Sequence, residues 1–518
     1  MSFERVAPPQ VNFDNVLPLA IESRSNRREF LPVNGQVFSN TNGATIVRID
    51  VNADSMLDAT HSYLECAIRN TNADADAFMA VNPFSPAWVQ RLRIESGGVV
   101  IEDINEYSRL YSMLSLNQTP ESYIKNNYSN MGLYSPEHAG NLQSAGATDS
   151  AVVGGSNHYG VAGGVVSIDA VSGSLDTELH YPPSSQALIT GVDSGVTALT
   201  VVADSATNRP TAFGLDGVHS KQRIKSGSSR TMCFPLVSGF LNMDKYIPLI
   251  MLNAGFTIEL TLCDANRIGI TQIEAEGAVG VDPTLVDSTW EVSGVKYVSH
   301  LIDMERDFYD RLRLVMDDAG GTLQLAGQTY RHYTGNMPSG AGPHTITLPA
   351  RVKSVKSIFG TFIDSTQMGS NTCFDTSVFQ NAMLDAYRFE IGSVRYPQTD
   401  VKASTRENEV ELMKAWGSLG DYSHQQAYSY KHTQNEEGIR DGKTLAGSTL
   451  SAFTVGYSFE AFQRVVLESG INTADRSLPI NFIASRSGDT TNATRCDFYV
   501  LTDAIFYINL DGTASVSV

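Results

Sequence analysis

The feature that most constrains the fold is a unit of two strands and a helix that occurs once in each half of the chain. Its first copy is residues 91–110, RLRIESGGVVIEDINEYSRL, in which Gly97-Gly98 separates two stretches of alternating apolar and polar residues. Both central positions of a two-residue hairpin turn favour positive φ, so this pair predicts a tight turn with Ser96 opposite Val99. The turn then sets the register of the two strands.

That register predicts one apolar and one charged face. Ile94 lies opposite Ile101 on the apolar face, and Arg93 lies opposite Glu102 on the charged face. An exposed cross-strand ion pair of this kind contributes only about 0.2–1 kcal/mol, and it accounts for the charges without catalytic chemistry. Asp103 or Asn105 is then available to cap a helix. Hydrophobic residues recur at helical spacing after them, at Tyr107, Leu110, Tyr111 and Leu114.

The second copy of the unit begins at YRFEIGSVRYP, residues 387–397. Its Gly392-Ser393 turn places Glu390 opposite Arg395, which repeats the charged pair of the first copy. The segment STRENEVELMKAW then predicts a helix over 404–416. The residues that support this helix are a Ser404 and Glu407 capping box and a face formed by Val410, Met413 and Trp416.

Strand-like segments match between the two halves in the same order. FTIELTL (256–262) corresponds to LPINFIA (478–484), and a long terminal strand follows each of them. Short strands separated by turns, with one helix per half, fit poorly to a parallel α/β sheet. The residues therefore predict an all-β chain with a duplicated β-sandwich.

The same pattern predicts the domain organisation. Residues 1–34 are expected to form an N-terminal arm, 35–304 the first sandwich and 305–518 the second. A segment rich in Gly, Ala, Ser, Val and Thr, residues 129–222, reads as a folded surface insertion into the first sandwich. A helix should open the second sandwich and end at Gly320-Gly321, with one face formed by Phe308, Leu312 and Val315.

Composition excludes several classes of protein. The chain has 518 residues and a net charge of −19, so a direct nucleic-acid partner is not expected, because phosphate binding needs a concentrated basic surface. The N-terminus lacks the apolar core of a secretion signal, and no stretch reaches the roughly 18 apolar residues of a membrane span. Five widely separated cysteines indicate reduced thiols rather than disulfides or a zinc site.

A search for chemistry yields no catalytic, cofactor or metal site. Residues 436–444, EEGIRDGKT, are one residue short of the spacing of a phosphate-binding loop. NADADAF (72–78) lacks the glycine and distal glutamate of a calcium loop and is expected to be a solvated turn. The histidines in strand-like segments, His61, His300 and His332, are interpreted as structural. The carboxylates of the first hairpin, Glu95, Glu102 and Asp103, are interpreted in the same way.

The order of segments resembles that of the double jelly-roll major capsid proteins of the adenovirus-type lineage. The sequences of the segments are most similar to the capsid proteins of polinton-like viruses and virophages. The resemblance covers most of the chain outside 129–222. It rests on five segments: RLRIESGGVVIEDINEYSRL (91–110), SGFLNMDKYIPL (238–249), RVKSVKSIFGTFI (351–363), YRFEIGSVRYP (387–397) and FYINLDGTASVSV (506–518).

This resemblance implies two eight-stranded jelly rolls, each with a helix in the connection after its sixth strand. It also implies a non-enzymatic subunit that forms homotrimers of pseudo-hexagonal outline and assembles an icosahedral virion shell. Penton and minor capsid proteins would then be partners, contact with an internal membrane is left open, and assembly would take place inside the host cell, without a secretion signal.

The alternative is a carbohydrate-binding or glycan-degrading β-sandwich protein. Such a protein needs exposed aromatic side chains that line a groove. The chain has three tryptophans, Trp88, Trp290 and Trp416, and each lies in a segment expected to face a core or a helix. The residues therefore favour the capsid interpretation.

Overall fold

The computed structural model describes most of the chain outside the long central segment. The described residues are 22–40, 45–81, 85–115, 117, 224–273, 284–318, 320–369, 371, 376, 379–403, 405–419, 450–451, 453–462, 469–475, 478–490 and 492–518. The predicted insertion 129–222, the loop 436–444, Ser404 and residues 1–21 of the predicted arm lie outside them. No helix among the described residues is long and apolar enough to cross a membrane.

The first half of the chain forms a jelly roll of two main sheets, called the first roll. In sheet A, β1 (Ser23–Phe30) and β2 (Val37–Ser39) pair with β14 (Trp290–Met304), which pairs with β4 (Met56–Asn70), and β4 pairs with β9 (Ser229–Phe234) and β10 (Ile247–Pro248). In sheet B the order is β3 (Ile46–Val51), β11 (Phe256–Leu262), β6 (Val89–Ser96) and β7 (Val99–Asn105). Buried residues alternate along β3 and β11, as the period of a half-buried strand requires.

A smaller sheet extends the first roll. It consists of β13 (Thr284–Val286), β12 (Gly269–Ile273), β5 (Ala77–Val81) and β8 (Ile224–Lys225). Helix α1 (Tyr107–Ser115) follows β7 directly. Helix α2 (Arg306–Asp318) then leads into the second half of the chain.

The second half repeats the architecture and is called the second roll. Sheet C has the order β15 (Thr322–Met337), β24 (Thr494–Asn509), β17 (Val355–Asp364) and β22 (Thr454–Ser458), with β25 (Ala514–Ser517) also on β24. Sheet D has the order β16 (Gly342–Leu348), β23 (Ile480–Arg486), β19 (Leu384–Ile391) and β20 (Val394–Lys402). Helix α3 (Glu407–Trp416) follows β20, and β18 (Phe379–Gln380) pairs with β21 (Leu450–Ser451).

The two rolls have the same strand order. Counting β1 and β2 as one strand and leaving out the smaller sheets and the short strands β10 and β25, each roll has eight main strands. One sheet of each roll runs first, eighth, third, sixth, and the other runs second, seventh, fourth, fifth. This confirms the predicted all-β double jelly roll, in which a Greek-key connection closes each pair of sheets. The helix of each roll follows the fifth main strand, one strand earlier than predicted.

Each roll encloses a hydrophobic core. The first core contains the fully buried tryptophans Trp88 and Trp290, and the second is rich in phenylalanine, with Phe362, Phe389 and Phe482 at its centre. Both clusters reach β24, where Tyr499 belongs to the first cluster and its neighbours Phe498 and Val500, which point to the opposite face, belong to the second. The last strand of the second roll is therefore covered on both faces.

The predicted register of the first hairpin is correct only next to its turn. Ser96 pairs with Val99 as predicted, but β7 contains a bulge after Val100, so that Ile94 faces Glu102 and Arg93 faces Asp103. One extra residue in a strand moves the following side chains to the other face. The predicted Arg93–Glu102 pair is therefore wrong, and Glu102 is buried. The second hairpin has the predicted register, with Glu390 opposite Arg395.

Among the three α-helices of the described residues, α1 buries the face predicted from its spacing, apart from half-buried Leu114. In α3, Val410 is exposed, and the helix instead buries Asn408, Leu412, Ala415 and Trp416. The prediction for Val410 was wrong because β17 and β22 lie under the neighbouring face of the helix.

The two ends of the first roll also differ in detail from the sequence interpretation. In α2, Val315 is exposed, and Met316 is the buried residue that packs with the first core. The helix ends where predicted, with the amide of Gly321 donating to the carbonyl of Met316 (2.7 Å). Within the range predicted as an arm, residues 23–30 form strand β1, paired along its whole length with β14.

Candidate functional site

The contact between the two rolls contains five buried charged side chains, namely Glu102, Glu106, Arg109, Arg267 and Asp497. From the first roll it uses the end of β7, the start of α1 and the loop after β9, and from the second roll it uses β15 and β24. Three parts make up this contact: a carboxylate clamp, a close approach of two backbones and a cluster of ion pairs. Together they are called the inter-roll contact.

The carboxylate clamp is built on Glu102. The bulge in β7 turns this side chain inward, where one carboxylate oxygen accepts hydrogen bonds from the Gly239 amide (2.9 Å) and the Thr329 hydroxyl (2.7 Å). The other oxygen accepts from the hydroxyl of Ser238. Because Thr329 belongs to the second roll, one side chain joins three separate parts of the chain. Burial raises the pKa of Glu102, although the hydrogen bonds from Ser238 and Thr329 oppose that shift.

The close approach involves two glycines. A Cβ on Gly239 would overlap the backbone carbonyl of Gln328, so the two rolls meet here at backbone distance. A Cβ on Gly327 would stand 2.8 Å from the ring of Phe506 and 3.1 Å from the side chain of Met243. Only glycine fits at both positions without displacing a neighbour.

The ion-pair cluster lies at the start of α1. Arg109 forms a salt bridge with Asp497 of β24, and both side chains are about 1% exposed. Glu106 binds Arg267 of its own roll at 2.5 Å and Arg495 of the second roll at 3.1 Å. The carbonyl of Glu106 also accepts from the Tyr499 hydroxyl at 2.8 Å. Opposite charges from the two rolls therefore alternate across the contact, which compensates in part for the desolvation of each charge.

The electrostatics favour the ionised form of both acids in the cluster. Burial alone would raise the pKa of Glu106, but the positive charges of Arg109 and Arg267 lower it to about 2. Burial opposes ionisation of Asp497 as well, yet Arg109 and the hydrogen bond from His332 hold its pKa well below its ordinary value. The cluster is thus charged throughout the physiological pH range.

Apolar contacts and the chain end complete the boundary between the rolls. The ring of Phe240 packs edge-on against Phe506 of the second roll, with ring centroids 5.3 Å apart. Near the C-terminus, the side chain of Asn253 donates to the carbonyl of Asp511 at 2.6 Å. The backbone amide of Asn253 donates to the carbonyl of Gly512 at 3.1 Å. The segments 238–249 and 506–518, which carried part of the sequence resemblance, therefore meet each other here.

The other residues considered for chemistry have structural surroundings. His332 contacts Asp497 at 2.9 Å, and His61 contacts the buried Asp58 at 2.7 Å. His300 lies beside His61, with ring centroids 6.1 Å apart. In the 72–78 segment, the side chains of Asn72 and Asp74 accept backbone amides two residues further on, which is the geometry of successive Asx turns.

The remaining carboxylates of the first hairpin form surface ion pairs. Asp103 accepts hydrogen bonds from Nε and Nη2 of Arg91 at 2.7 and 2.5 Å, and Glu95 binds Arg93. Over the described residues, no group of three or more His, Cys, Asp or Glu side chains could hold a metal ion. The charged groups of the inter-roll contact pair with one another, and these pairs can hold the two rolls in one arrangement.

Sequence reasoning missed the most informative residues of this contact. Glu102 was interpreted as an exposed partner of Arg93, because a hairpin without a bulge puts it on the outer face. Glu106, Arg109 and Asp497 were not singled out. One signal was available: Arg109 occurs in a helix that is otherwise apolar or carries small hydroxyl groups, which indicates a buried partner elsewhere.

Comparisons with known proteins identify the fold. No protein-family profile and no curated protein sequence matches the chain. The structure of PBCV-1 VP54, fitted into a cryo-EM reconstruction of the virophage Sputnik, matches with a TM-score of 0.53 and 10% identity, over 98% of this chain and 99% of that one. The Faustovirus major capsid protein matches with a TM-score of 0.53 and 9% identity, over 96% and 92% of the two chains.

A quasi-atomic structure of the PBCV-1 virus capsid matches similarly, with a TM-score of 0.52, 11% identity and coverage of 98% and 99%. These likenesses extend over nearly the whole length of each chain. Together with the strand order of the two rolls, they establish that the chain has the double jelly-roll fold of viral major capsid proteins. The resemblance predicted from the sequence is confirmed for the fold.

Proposed function

We propose that this protein is a major capsid protein, a structural subunit of a virus shell. The observation that carries the proposal is the inter-roll contact, on a double jelly-roll fold that matches solved capsid-protein structures over nearly their whole length. Its buried ion pairs and backbone approach hold two similar but non-identical rolls in one arrangement. A shell subunit needs this property, because its two halves must present fixed surfaces to neighbouring copies.

The assembly follows from the duplication. Three copies would place six jelly rolls around a threefold axis and give a block of nearly hexagonal outline that can tile an icosahedral shell. The protein would act by burying surfaces between copies and would not turn over a substrate. It would reside in the virion, where penton and minor capsid proteins are further expected partners.

The oligomeric mass of the purified protein tests this proposal. Size-exclusion chromatography with light scattering should give three times the mass of the chain, and negative-stain images should show hexagonal outlines. The trimer should persist on dilution into the nanomolar range, as expected for a large buried interface. A protein that remains a compact monomer at high concentration would contradict the proposal.

The carbohydrate-binding alternative is less well supported. All three tryptophans are buried, with Trp88 fully enclosed and Trp416 stacked on Phe359 at a centroid distance of 6.3 Å. Tryptophan side chains are therefore not available to stack on a sugar. A glycan array should yield no tight ligand, whereas a tight ligand whose binding depends on Trp88 would favour the alternative.

A further inference from the structure

Sheet C of the second roll contains a lysine that lies between two carboxylates. Lys356 is the extra residue of a bulge where β17 pairs with β24. Its Nζ lies 2.7 Å from Oε1 of Glu460 and 3.3 Å from Oδ1 of Asp503. Asp503 belongs to β24 and Glu460 follows β22, and these two strands are the neighbours of β17 in the sheet. An amine and two carboxylates therefore meet across three adjacent strands.

The three side chains are largely removed from solvent. The side chain of Lys356 is 9% exposed, that of Glu460 is 11% exposed and that of Asp503 is 3% exposed. Together they carry one positive and two negative charges, and the desolvation of such a group can cost more than its internal attraction returns. Groups that are held in contact with water excluded also react much faster than the same groups free in solution.

The two carboxylate oxygens of Asp503 have different surroundings. Oδ1 is the oxygen next to the ammonium group of Lys356. Oδ2 accepts a hydrogen bond from the hydroxyl of Ser354 at 2.7 Å, and that hydroxyl in turn accepts from the amide of Gly470 at 3.1 Å. A donor fixed on Oδ2 can stabilise negative charge on this oxygen if a nucleophile adds to the carboxyl carbon.

Backbone hydrogen bonds hold Glu460 beside the lysine. The amide of Phe459 donates to the carbonyl of Lys356 at 2.7 Å, and the amide of Ala461 donates to the carbonyl of Ser469 at 3.0 Å. The residues on both sides of Glu460 are thus fixed. Its carboxylate lies at the hydrogen-bond distance that a proton acceptor for the ammonium group requires.

We propose that Lys356 and Asp503 form an intramolecular isopeptide bond, with Glu460 as the proton carrier. Glu460 takes a proton from the ammonium group, and the lone pair of Nζ then forms a bond to Cγ of Asp503. The bond from Cγ to Oδ1 breaks, and its electron pair leaves with the oxygen. Two of the three ammonium protons pass to Oδ1, which departs as water, while Oδ2 becomes the amide oxygen and Glu460 regains its initial state.

The bond would change both the charge and the connectivity of the second roll. It replaces two buried charges by one neutral amide and needs no oxidant, reductant or other reactant. It joins the third and eighth main strands of the roll and closes a covalent loop from Lys356 to Asp503. A cross-link of this kind stabilises a fold by restricting the unfolded chain. The inference is independent of the proposed capsid function.

Mass spectrometry of the denatured full-length protein tests the bond directly. The wild type should be lighter than the mass expected from its sequence by one water molecule, and a tryptic digest should contain a branched peptide that joins Lys356 to Asp503. Lys356→Arg should have its full expected mass, because a guanidinium group stays protonated and is not a nucleophile. Glu460→Gln should also have its full expected mass, because an amide cannot carry the proton.

The matched control is Lys296→Arg. Lys296 also lies between two carboxylates, 3.1 Å from Glu65 and 3.3 Å from Glu29, but its side chain is 23% exposed and remains in contact with water. This variant should lose one water molecule like the wild type, and thermal unfolding verifies that every variant is folded. A folded wild type with its full expected mass, or a water loss that the digest assigns to other residues, would overturn the proposal and leave the capsid proposal unaffected.

Discussion

At the scale of single residues, Glu102 is the clearest case of a side chain whose role depends on one backbone irregularity. The bulge in β7 converts an exposed carboxylate into a buried group that accepts hydrogen bonds from Ser238, Gly239 and Thr329. A buried acceptor shared by three donors stabilises mainly because its removal leaves all three without partners. The hydrogen-bonding atoms of Glu102 therefore matter more for stability than its negative charge.

Replacement of Glu102 by Ala and by Gln separates these two properties. Glu102→Ala should lower the free energy of unfolding by about 3 kcal/mol or more, since it leaves buried donors unsatisfied. Glu102→Gln retains an oxygen for Gly239 and Thr329 and can donate to the hydroxyl of Ser238, so it should change stability by less than about 1 kcal/mol. Urea unfolding of both variants measures the difference, and equal losses in the two would show that charge dominates.

The pH dependence of stability follows from the directions of the pKa shifts. The folded-state pKa of Glu106, about 2, lies below its ordinary value of 4.5, so its contribution is present above 4.5 and is lost as the pH falls towards 2. The contribution of Glu102 to stability changes with pH in the opposite direction: its raised pKa adds stability at low pH that is lost as the pH rises through the folded-state value.

The thermal midpoint of Glu102→Gln relative to wild type should therefore rise with pH. A constant difference between pH 4 and pH 9 would contradict this assignment.

At the scale of elements, the segment 238–249 and strand β15 meet through glycines. Gly239 allows the loop after β9 to touch the backbone of Gln328, and a side chain there must displace main chain rather than a flexible group. The segment SGFLNMDKYIPL contributes only the two residues of β10 to a strand. Its contact with the second roll explains why it is nevertheless one of the segments on which the sequence resemblance rests.

Gly239→Ala tests the close approach. It should lower the free energy of unfolding by at least about 2 kcal/mol, because a methyl group would overlap the carbonyl of Gln328. Gly340→Ala is the control, since a Cβ on Gly340 meets no atom within 4 Å. Thermal unfolding of the two variants should show a clear loss for the first and almost none for the second, and equal behaviour would rule out the proposed steric role.

Elements were predicted from sequence more reliably than their contacts. The repeated hairpins, the long strands, the position of α1 and the end of α2 follow from local turn chemistry and periodicity, which act within a few residues. The bulge in β7, the buried face of α3 and the pairing of β1 with β14 depend on residues far away in the chain. Local patterns contain no direct information about such partners, which is why Glu102 and Val410 were misassigned.

At the scale of the whole molecule, the chain consists of two jelly rolls joined by a contact that resembles a protein interface buried inside one polypeptide. It combines the Arg109–Asp497 pair with the apolar packing of Phe240 on Phe506, which lies nine residues further along β24. Loss of one partner from such a buried pair usually costs about 3–5 kcal/mol. Arg109→Met should therefore loosen the second roll against the first, and hydrogen exchange should show faster exchange of amides in β15 and β24 with little change in β19 and β23.

Electron cryo-microscopy of the purified protein would show how its copies assemble. We expect a trimer in which six jelly rolls surround a threefold axis, with the two rolls of each chain in the arrangement fixed by Glu102, Arg109 and Asp497. A map of a single copy, or of an assembly in which the two rolls of a chain take variable orientations, would contradict it.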